Sequence, residues 1–418
     1  MSQDRTAEVI VVGAGLAGLA CALDIVAAGR DVLVLEAGEE AGGRMRTDVV
    51  RGFRLDRGFQ VFNPAYPQVR RRLDLAALGL RPFTPGFLVA GGPDRHRLVD
   101  PVRRPGQLPA LVAGRSALPP RDLAALGLLG LRDALLPAAV VRRAPETSTA
   151  EALRSAGLSR RTVADVLGPF LAGVFLEEEL ATSSRLFHLV WRPRLRGRLS
   201  LPRHGIGAVP RQLAARLPAG RLRCAAEVAR VEAAGGAAGV VLADGSRLRA
   251  GAVVVATGAD RAARLLPGLA VPPARSVTTF YHAAPVSPLR EPILVVDARR
   301  RVLNTVVLSE VVPDCSPDGR ALVSTSVLGV AAQEGAARRR AGELYGVDTA
   351  GWEPLAAYRI AEALPAGPAP LTLSRSTRWA PGRYVCGDHR ATASVQGALA
   401  SGARAAREVL ADLPARGR

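Results

Sequence analysis

Glu8-Val9-Ile10-Val11-Val12-Gly13-Ala14-Gly15-Leu16-Ala17-Gly18 is the stretch that decides the fold. Its first five residues are a short β-branched run, the composition of a parallel strand buried on both faces. Glycines follow at 13, 15 and 18. Gly13 permits a tight turn out of the strand. Gly15 lets backbone approach a pyrophosphate with no side chain between them, and Gly18 lets the next helix pack close to the strand. Leu16 and Ala17 open that helix, whose free N–H groups point at the phosphates. The helix continues through Leu19, Leu23 and Ile25 to Ala28, and Gly29 stops it. Asp31 to Leu35 reads as a second strand ending at Glu36, an acid placed to accept hydrogen bonds from both ribose hydroxyls. Strand, glycines, helix, strand and acid in this order make a dinucleotide-binding unit.

The rest of the chain bounds what surrounds this unit. Its 418 residues suffice for two lobes. With 48% hydrophobic and 22% charged residues, a folded globular protein is expected. The net charge is +19, and all 56 basic residues are arginine, since the chain has no lysine. The arginines are scattered, with short runs such as Arg70-Arg71-Arg72 and Arg338-Arg339-Arg340, and no aromatic-rich basic stripe accompanies them. That pattern argues against a nucleic-acid partner and leaves open an arginine-rich face toward an anionic membrane or substrate. Cys21, Cys224, Cys315 and Cys386 lie far apart without a CxxC pair, so neither a zinc site nor a disulfide framework is expected. The histidines show no ligand spacing, and no metal is assigned. Met1 to Glu8 is short and polar, unlike a signal peptide. The expected location is the cytoplasm, with peripheral membrane contact as the alternative.

After the second strand, Glu36-Ala37-Gly38 leads to Gly42-Gly43-Arg44. The combined pattern resembles the extended fingerprint of the flavin amine oxidase and phytoene desaturase superfamily. The resemblance implies that the second glycine pair carries the chain across the pyrophosphate and flavin, and that Arg44 offsets phosphate charge. The stretch Gly52 to Phe62 reads as a strand with a glycine interruption, followed by the turn Asn63-Pro64-Ala65-Tyr66-Pro67 and a helix from about Gln68. This region resembles the plant and cyanobacterial carotenoid-desaturase branch, except that Gln60 stands where that branch carries a histidine. Near the C-terminus, Arg383 to Asp388 is a strand closing on Gly387-Asp388, and Val395-Gln396-Gly397 opens the last helix. This resembles the superfamily's C-terminal flavin motif. It implies that Asp388 binds ribityl or phosphate-bridging hydroxyls and that the helix start faces the flavin's pyrimidine carbonyl. Between them, Cys224 to Val231, Gly239 to Leu242 and Ala252 to Ala256 read as strands. By the same resemblance Val228 gives a backbone contact to adenine, and Thr257-Gly258 forms a second, partial flavin motif.

The expected architecture is therefore α/β. A discontinuous, Rossmann-like FAD domain of two-dinucleotide-binding type takes residues 1–62, 204–270 and 376–418. A mixed α+β substrate lobe takes 63–203 and 271–375. The turn Leu201 to Gly207, with a helix around Val209 to Leu217, returns the chain to the flavin domain. Residues 271–375 read as mixed strand and loop. Arg121 to Arg143 is a leucine-rich helix that Pro137 would kink, expected either buried in the lobe and lining a tunnel or touching a membrane. FAD is expected to bind without a covalent link, because nothing around Cys386 resembles an attachment motif.

The chemistry follows from what is present and what is missing. Many amine oxidases of the superfamily hold a lysine near the flavin and an aromatic residue four positions before the alanine of the terminal motif. This chain has no lysine, and that position is Ser394, four before Ala398. The resemblance thus points to hydride abstraction from an apolar, isoprenoid-type substrate. An amine or porphyrinogen oxidase of the same fold is the alternative, and a non-catalytic flavin-binding partner protein is the alternative of another class. His204 and His389 are the candidates for removing a second proton, being the histidines nearest the flavin by motif. The sequence names no electron acceptor.

Overall fold

The computed structural model describes residues 6–92, 95–99, 118–234 and 237–414. Strand Ala7–Val12 sits at the centre of an eight-stranded sheet. It pairs in parallel with Val32–Leu35 on one side and Arg247–Val255 on the other. The register sets Val12 opposite both Leu35 and Val255, so the three strands end level. Val253–Val255 in turn pairs in parallel with Arg383–Val385. One edge of the sheet thus collects Gly13, Glu36, Thr257 and Gly387, from four strands spread along the chain. Val9, Val11, Val34 and Val254 are completely buried, as strands covered on both faces require. The antiparallel strands Val228–Ala234 and Ala237–Leu242 extend the sheet beyond Arg247–Val255.

Helix Leu16–Ala27 packs against the last helix, Val395–Asp412. Small residues make the approach possible. A Cβ at Gly402 would overlap the carbonyl of Ala17, and one at Gly18 would overlap the carbonyl of Gly13. Leu19, Leu399 and Val409 close the seam with no solvent exposure. Burying each such side chain contributes roughly 1.5–3 kcal/mol.

A seven-stranded sheet forms the second layer system. Its order runs from Glu353–Pro365 through Ala274–Ala284, Ala321–Leu328, Asn304–Val307, Leu294–Asp297 and Gly86–Ala90 to His96–Val99. Neighbours are antiparallel except Leu294–Asp297 with Gly86–Ala90. Helices between Pro120 and Arg196 cover one end of it, around Phe170, Phe187 and Trp191.

Several elements differ from their sequence reading. Only Phe53–Asp56 of the expected 52–62 strand is a strand, hairpinned on Thr47–Val50. Gly58, at φ +85°, turns the chain out of it, and a Cβ there would press into Ile360. The helix expected over Val209 to Leu217 is Ala208–Ala214. The strand expected over Cys224 to Val231 divides into Leu222–Arg223 and Val228–Ala234, with Ala225 at positive φ between them. Residues 271–375 also hold a helix, Glu334–Tyr345, docked by the buried Arg340–Asp297 ion pair. The hairpin is fastened where the chain re-enters the first sheet. Asp56 accepts from Thr47 Oγ1 at 2.6 Å and from the Ile206 N–H at 2.9 Å. Burial pushes its carboxyl up to about 6 despite those bonds.

The leucine-rich segment forms Pro120–Leu135, and Pro137 separates it from Ala138–Arg143. One face is buried in the lobe core through Leu129, with Leu123 and Leu126 packed beside it, and the other face is exposed. Asp122 and Asp133 are fully buried, while Leu128, Leu131 and Leu135 are 69%, 56% and 71% exposed. The acids face inward because each has partners there. Asp122 accepts from Ser159 and Thr162, and Asp133 meets His188 Nδ1 at 2.7 Å.

Gly402→Ala should strain the helix seam and lower stability by about 1–3 kcal/mol. Gly127→Ala, in the Pro120–Leu135 helix where an added Cβ meets nothing within 4 Å, should raise it by about 1 kcal/mol. Thermal unfolding of the two variants checks the pair, and equal melting temperatures would reject this account of the seam.

Candidate active site

The edge where the parallel strands end opens into a cavity of about 840 Å³ running from the first sheet to the second. Gly13, Gly15, Leu16 and Ala17 form its floor, with Glu36 and Ala37 beside them. Gly13 takes φ +104°, the left-handed region that glycine tolerates. A Cβ at Gly15 would meet nothing within 4 Å, so the space above this turn is open. Gly42 and Gly43 cross over it, and a Cβ at Gly43 would lie 3.4 Å from Gly15 Cα. Arg44, Val228, Thr257, Gly258, Gly387, Asp388 and Val395 complete this part of the wall.

Glu36 is held by the backbone. Its Oε2 accepts from Ala14 N–H at 2.7 Å and its Oε1 from Gly38 N–H at 2.9 Å. A carboxylate offers about four acceptor positions, so two remain for hydroxyl donors in the cavity. Arg44 Nη2 pairs with Asp388 Oδ1 at 2.6 Å, and Arg44 Nη1 donates to the Ala363 carbonyl. The nearby Asp388 carboxylate raises the Arg44 pKa above its ordinary value, keeping a fixed positive charge on the wall. The Val228 carbonyl accepts from Arg261 Nη2 at 2.8 Å, a contact that sequence reading did not foresee. These residues fit FAD on three counts: a groove free of side chains over Gly15, an acid with acceptor positions to spare, and a cation beside it.

Five expected residues stand outside the cavity wall. Gly18 lies beneath it in the helix–strand packing. Gln396 turns away, its Oε1 accepting from the Gln68 N–H at 2.9 Å. The Gly397 N–H is taken by Ser394 Oγ at 3.1 Å, an N-cap bond, and is not free for a ligand. His204 is exposed in the turn before Gly205. His389 is buried behind Asp388, with neither ring nitrogen hydrogen-bonded. Burial pushes its pKa down to about 4. The positions of both histidines give them no access to a substrate in this cavity. The leucine-rich helix does not line it either.

The far part of the wall comes from elements that carry no motif. Phe170, Val174, Phe187 and Trp191 come from helices, Leu294, Asn304, Ser326 and Ile360 from the second sheet, and Leu303 from the residue before the strand Asn304–Val307. Cys386 lies outside the wall, fully buried, its thiol pushed up to about 12 by burial. Among the described residues no group of three or more His, Cys, Asp or Glu is arranged to hold a metal.

Comparison with known proteins agrees with this geometry. The family described as flavin containing amine oxidoreductase matches residues 16–410. Putrescine oxidase of Kocuria rosea is 43% identical over 76 residues, 18% of this chain and 16% of that protein. Phytoene dehydrogenase of Streptomyces griseus is 53% identical over 51 residues, 12% of this chain and 10% of that protein. The matched stretches thus span under a fifth of those relatives' lengths. In fold the chain is similar to a protein assigned provisionally as a protoporphyrinogen oxidase from Exiguobacterium sp. 255-15. The TM-score is 0.73 at 17% identity, covering 98% of this chain and 100% of that one. The match over residues 16–410 leads to one conclusion: the chain belongs to the flavin containing amine oxidoreductase family.

Proposed function

We propose that this protein removes hydride from a largely apolar, isoprenoid-type substrate. The observation that carries the reading is the far cavity wall, where Phe170, Val174, Phe187, Trp191, Leu294 and Ile360 enclose a hydrocarbon-lined chamber. The chain has no lysine to place there. Similarity to a phytoene dehydrogenase supports this reading, and similarity to a putrescine oxidase supports the amine alternative. Residues 1–62, 204–270 and 376–418 serve as the flavin lobe in this proposal, and residues 63–203 and 271–375 as the substrate lobe.

FAD, when bound, supplies the hydride acceptor. The protein's part is binding and orientation. Glu36 would hold the ribose, and the N–H groups that open the helix at Leu16 and Ala17 would hold the pyrophosphate, with Arg44 offsetting its charge. Val395 and Ser394 place the positive end of the last helix at the cavity, where it favours negative charge on the ring. The apolar chamber would exclude water from the reacting C–H. FAD is held without a covalent bond, since Cys386 is buried outside the wall.

A membrane is the natural source of such a substrate. Among the described residues no helix is long and apolar enough to cross one. The exposed face Leu128, Leu131, Leu135 and Val140, with Arg121, Arg142 and Arg143 exposed beside it, suits peripheral contact with anionic lipid.

Four experiments test this. Denaturation should release all the flavin, and Glu36→Ala should weaken FAD binding by about 1.5–3 kcal/mol. Flavin retained on the denatured chain, or unchanged affinity in the variant, contradicts the proposed binding. Anaerobic mixing with polyenes in detergent should bleach the flavin band, while primary and secondary amines do so slowly. Fast bleaching by an amine alone favours the amine-oxidase reading, and bleaching by neither favours a non-catalytic flavoprotein. Leu128→Glu with Leu131→Glu should sharply reduce co-sedimentation with phosphatidylglycerol vesicles at unchanged flavin content, and full retention would reject this face as the contact.

A further inference from the structure

Two polar side chains interrupt the hydrocarbon wall. Asn304 and Ser326 are direct partners across the antiparallel pair Asn304–Val307 and Ala321–Leu328, and both line the cavity. They are 7% and 3% exposed. Directly opposed residues present their side chains to the same face of a sheet, so the two stand together on the cavity side. A Cβ at Gly173 would lie 3.0 Å from Asn304 Nδ2, so the amide occupies space that only a glycine leaves on the neighbouring helix.

The hydrogen-bond accounting around the pair is incomplete. Asn304 Oδ1 is buried and accepts no hydrogen bond. Buried acceptors are seldom left unpaired, because desolvation without a partner is unfavourable. Ser326 Oγ lies 3.1 Å from Thr279 Oγ1, which itself accepts from the Phe59 N–H at 3.3 Å. The Thr279 oxygen keeps a second lone pair, so either hydroxyl can donate in this bond. When Thr279 donates, the Ser326 hydrogen is free to point into the chamber. A donor and an acceptor then sit side by side, with Leu294, Leu303 and Ile360 in the same wall.

We infer that Asn304 and Ser326 are a specificity-determining pair that recognises one hydroxyl group on an otherwise hydrocarbon substrate. The Ser326 hydroxyl donates to the substrate oxygen, and the substrate's O–H donates to Asn304 Oδ1. Only a group that both accepts and donates satisfies the pair. A pure hydrocarbon or a carbonyl leaves Asn304 Oδ1 unpaired. The inference rests on the apolar-substrate reading and adds the one polar feature that such a substrate carries.

The test uses the flavin-loaded protein and three probes of one skeleton, farnesol, farnesal and farnesene. Each is titrated in the same detergent and read by perturbation of the flavin absorbance. Micelle partitioning affects all variants alike, so the alcohol-to-hydrocarbon affinity ratio in wild type is compared with that in Asn304→Leu and Ser326→Ala. The wild-type ratio should be about tenfold or more. Asn304→Leu should bring it to within about twofold, and Ser326→Ala should reduce it less. Flavin content and melting temperature show whether each variant folds, and if Asn304→Leu does not, the Ser326→Ala ratio carries the test. A wild-type ratio near one, a ratio unchanged in the folded variants, or farnesal binding as tightly as farnesol overturns the pair's role. Binding of all three in any of those cases leaves the apolar-substrate reading standing. No perturbation by any of the three rejects that reading, and this inference with it.

Discussion

The level ending of the parallel strands is the constraint on which the site depends. Val12 stands opposite Leu35 and Val255, and Val255 opposite Val385. A shift of one residue in any of these pairings would reverse which side chains face the core. It would also move Glu36, Thr257 or Asp388 away from the glycine turn at Gly13. The completely buried Val9, Val11, Val34 and Val254 penalise such a shift, because each would exchange places with a neighbour of different surroundings. Core packing therefore holds the cofactor groove in register.

The helix seam adds a second fixed distance. Gly402 brings Val395–Asp412 against Leu16–Ala27. One helix begins at the Gly13–Gly15 turn and the other is capped by Ser394, and both starts line the same cavity. Their close packing sets the spacing between two helix N-termini.

The glycine-turn end of the cavity was legible in sequence for a physical reason. Gly13, Gly15, Gly42 and Glu36 meet demands that few residue types satisfy: positive φ, close backbone approach, or a carboxylate at a strand end. The far wall follows looser rules. Phe170, Leu294 and Ile360 reach the chamber from helices and strands distant in sequence, and an apolar wall accepts many apolar residues, so no spacing announces it. Asn304 and Ser326 become neighbours only through strand pairing. The leucine-rich helix misled because hydrophobicity alone suggested burial. Its orientation is set by Asp122 and Asp133, whose partners Ser159, Thr162 and His188 come from later segments. At the last helix the Gly397 N–H goes to Ser394 and the Gln396 side chain to Gln68, contacts that the motif does not announce.

The interleaved first sheet also has a consequence for biosynthesis. Its central strand is made before its neighbour Arg247–Val255, and Arg383–Val385 later still. On the ribosome, Ala7–Val12 and Val32–Leu35 must wait with apolar faces uncovered while the whole second sheet is synthesised. Long-range parallel pairing is slow to form and prone to aggregate when delayed. Cofactor capture is thus a post-translational event, and the nascent chain depends on protection from self-association until its last helix closes over the first.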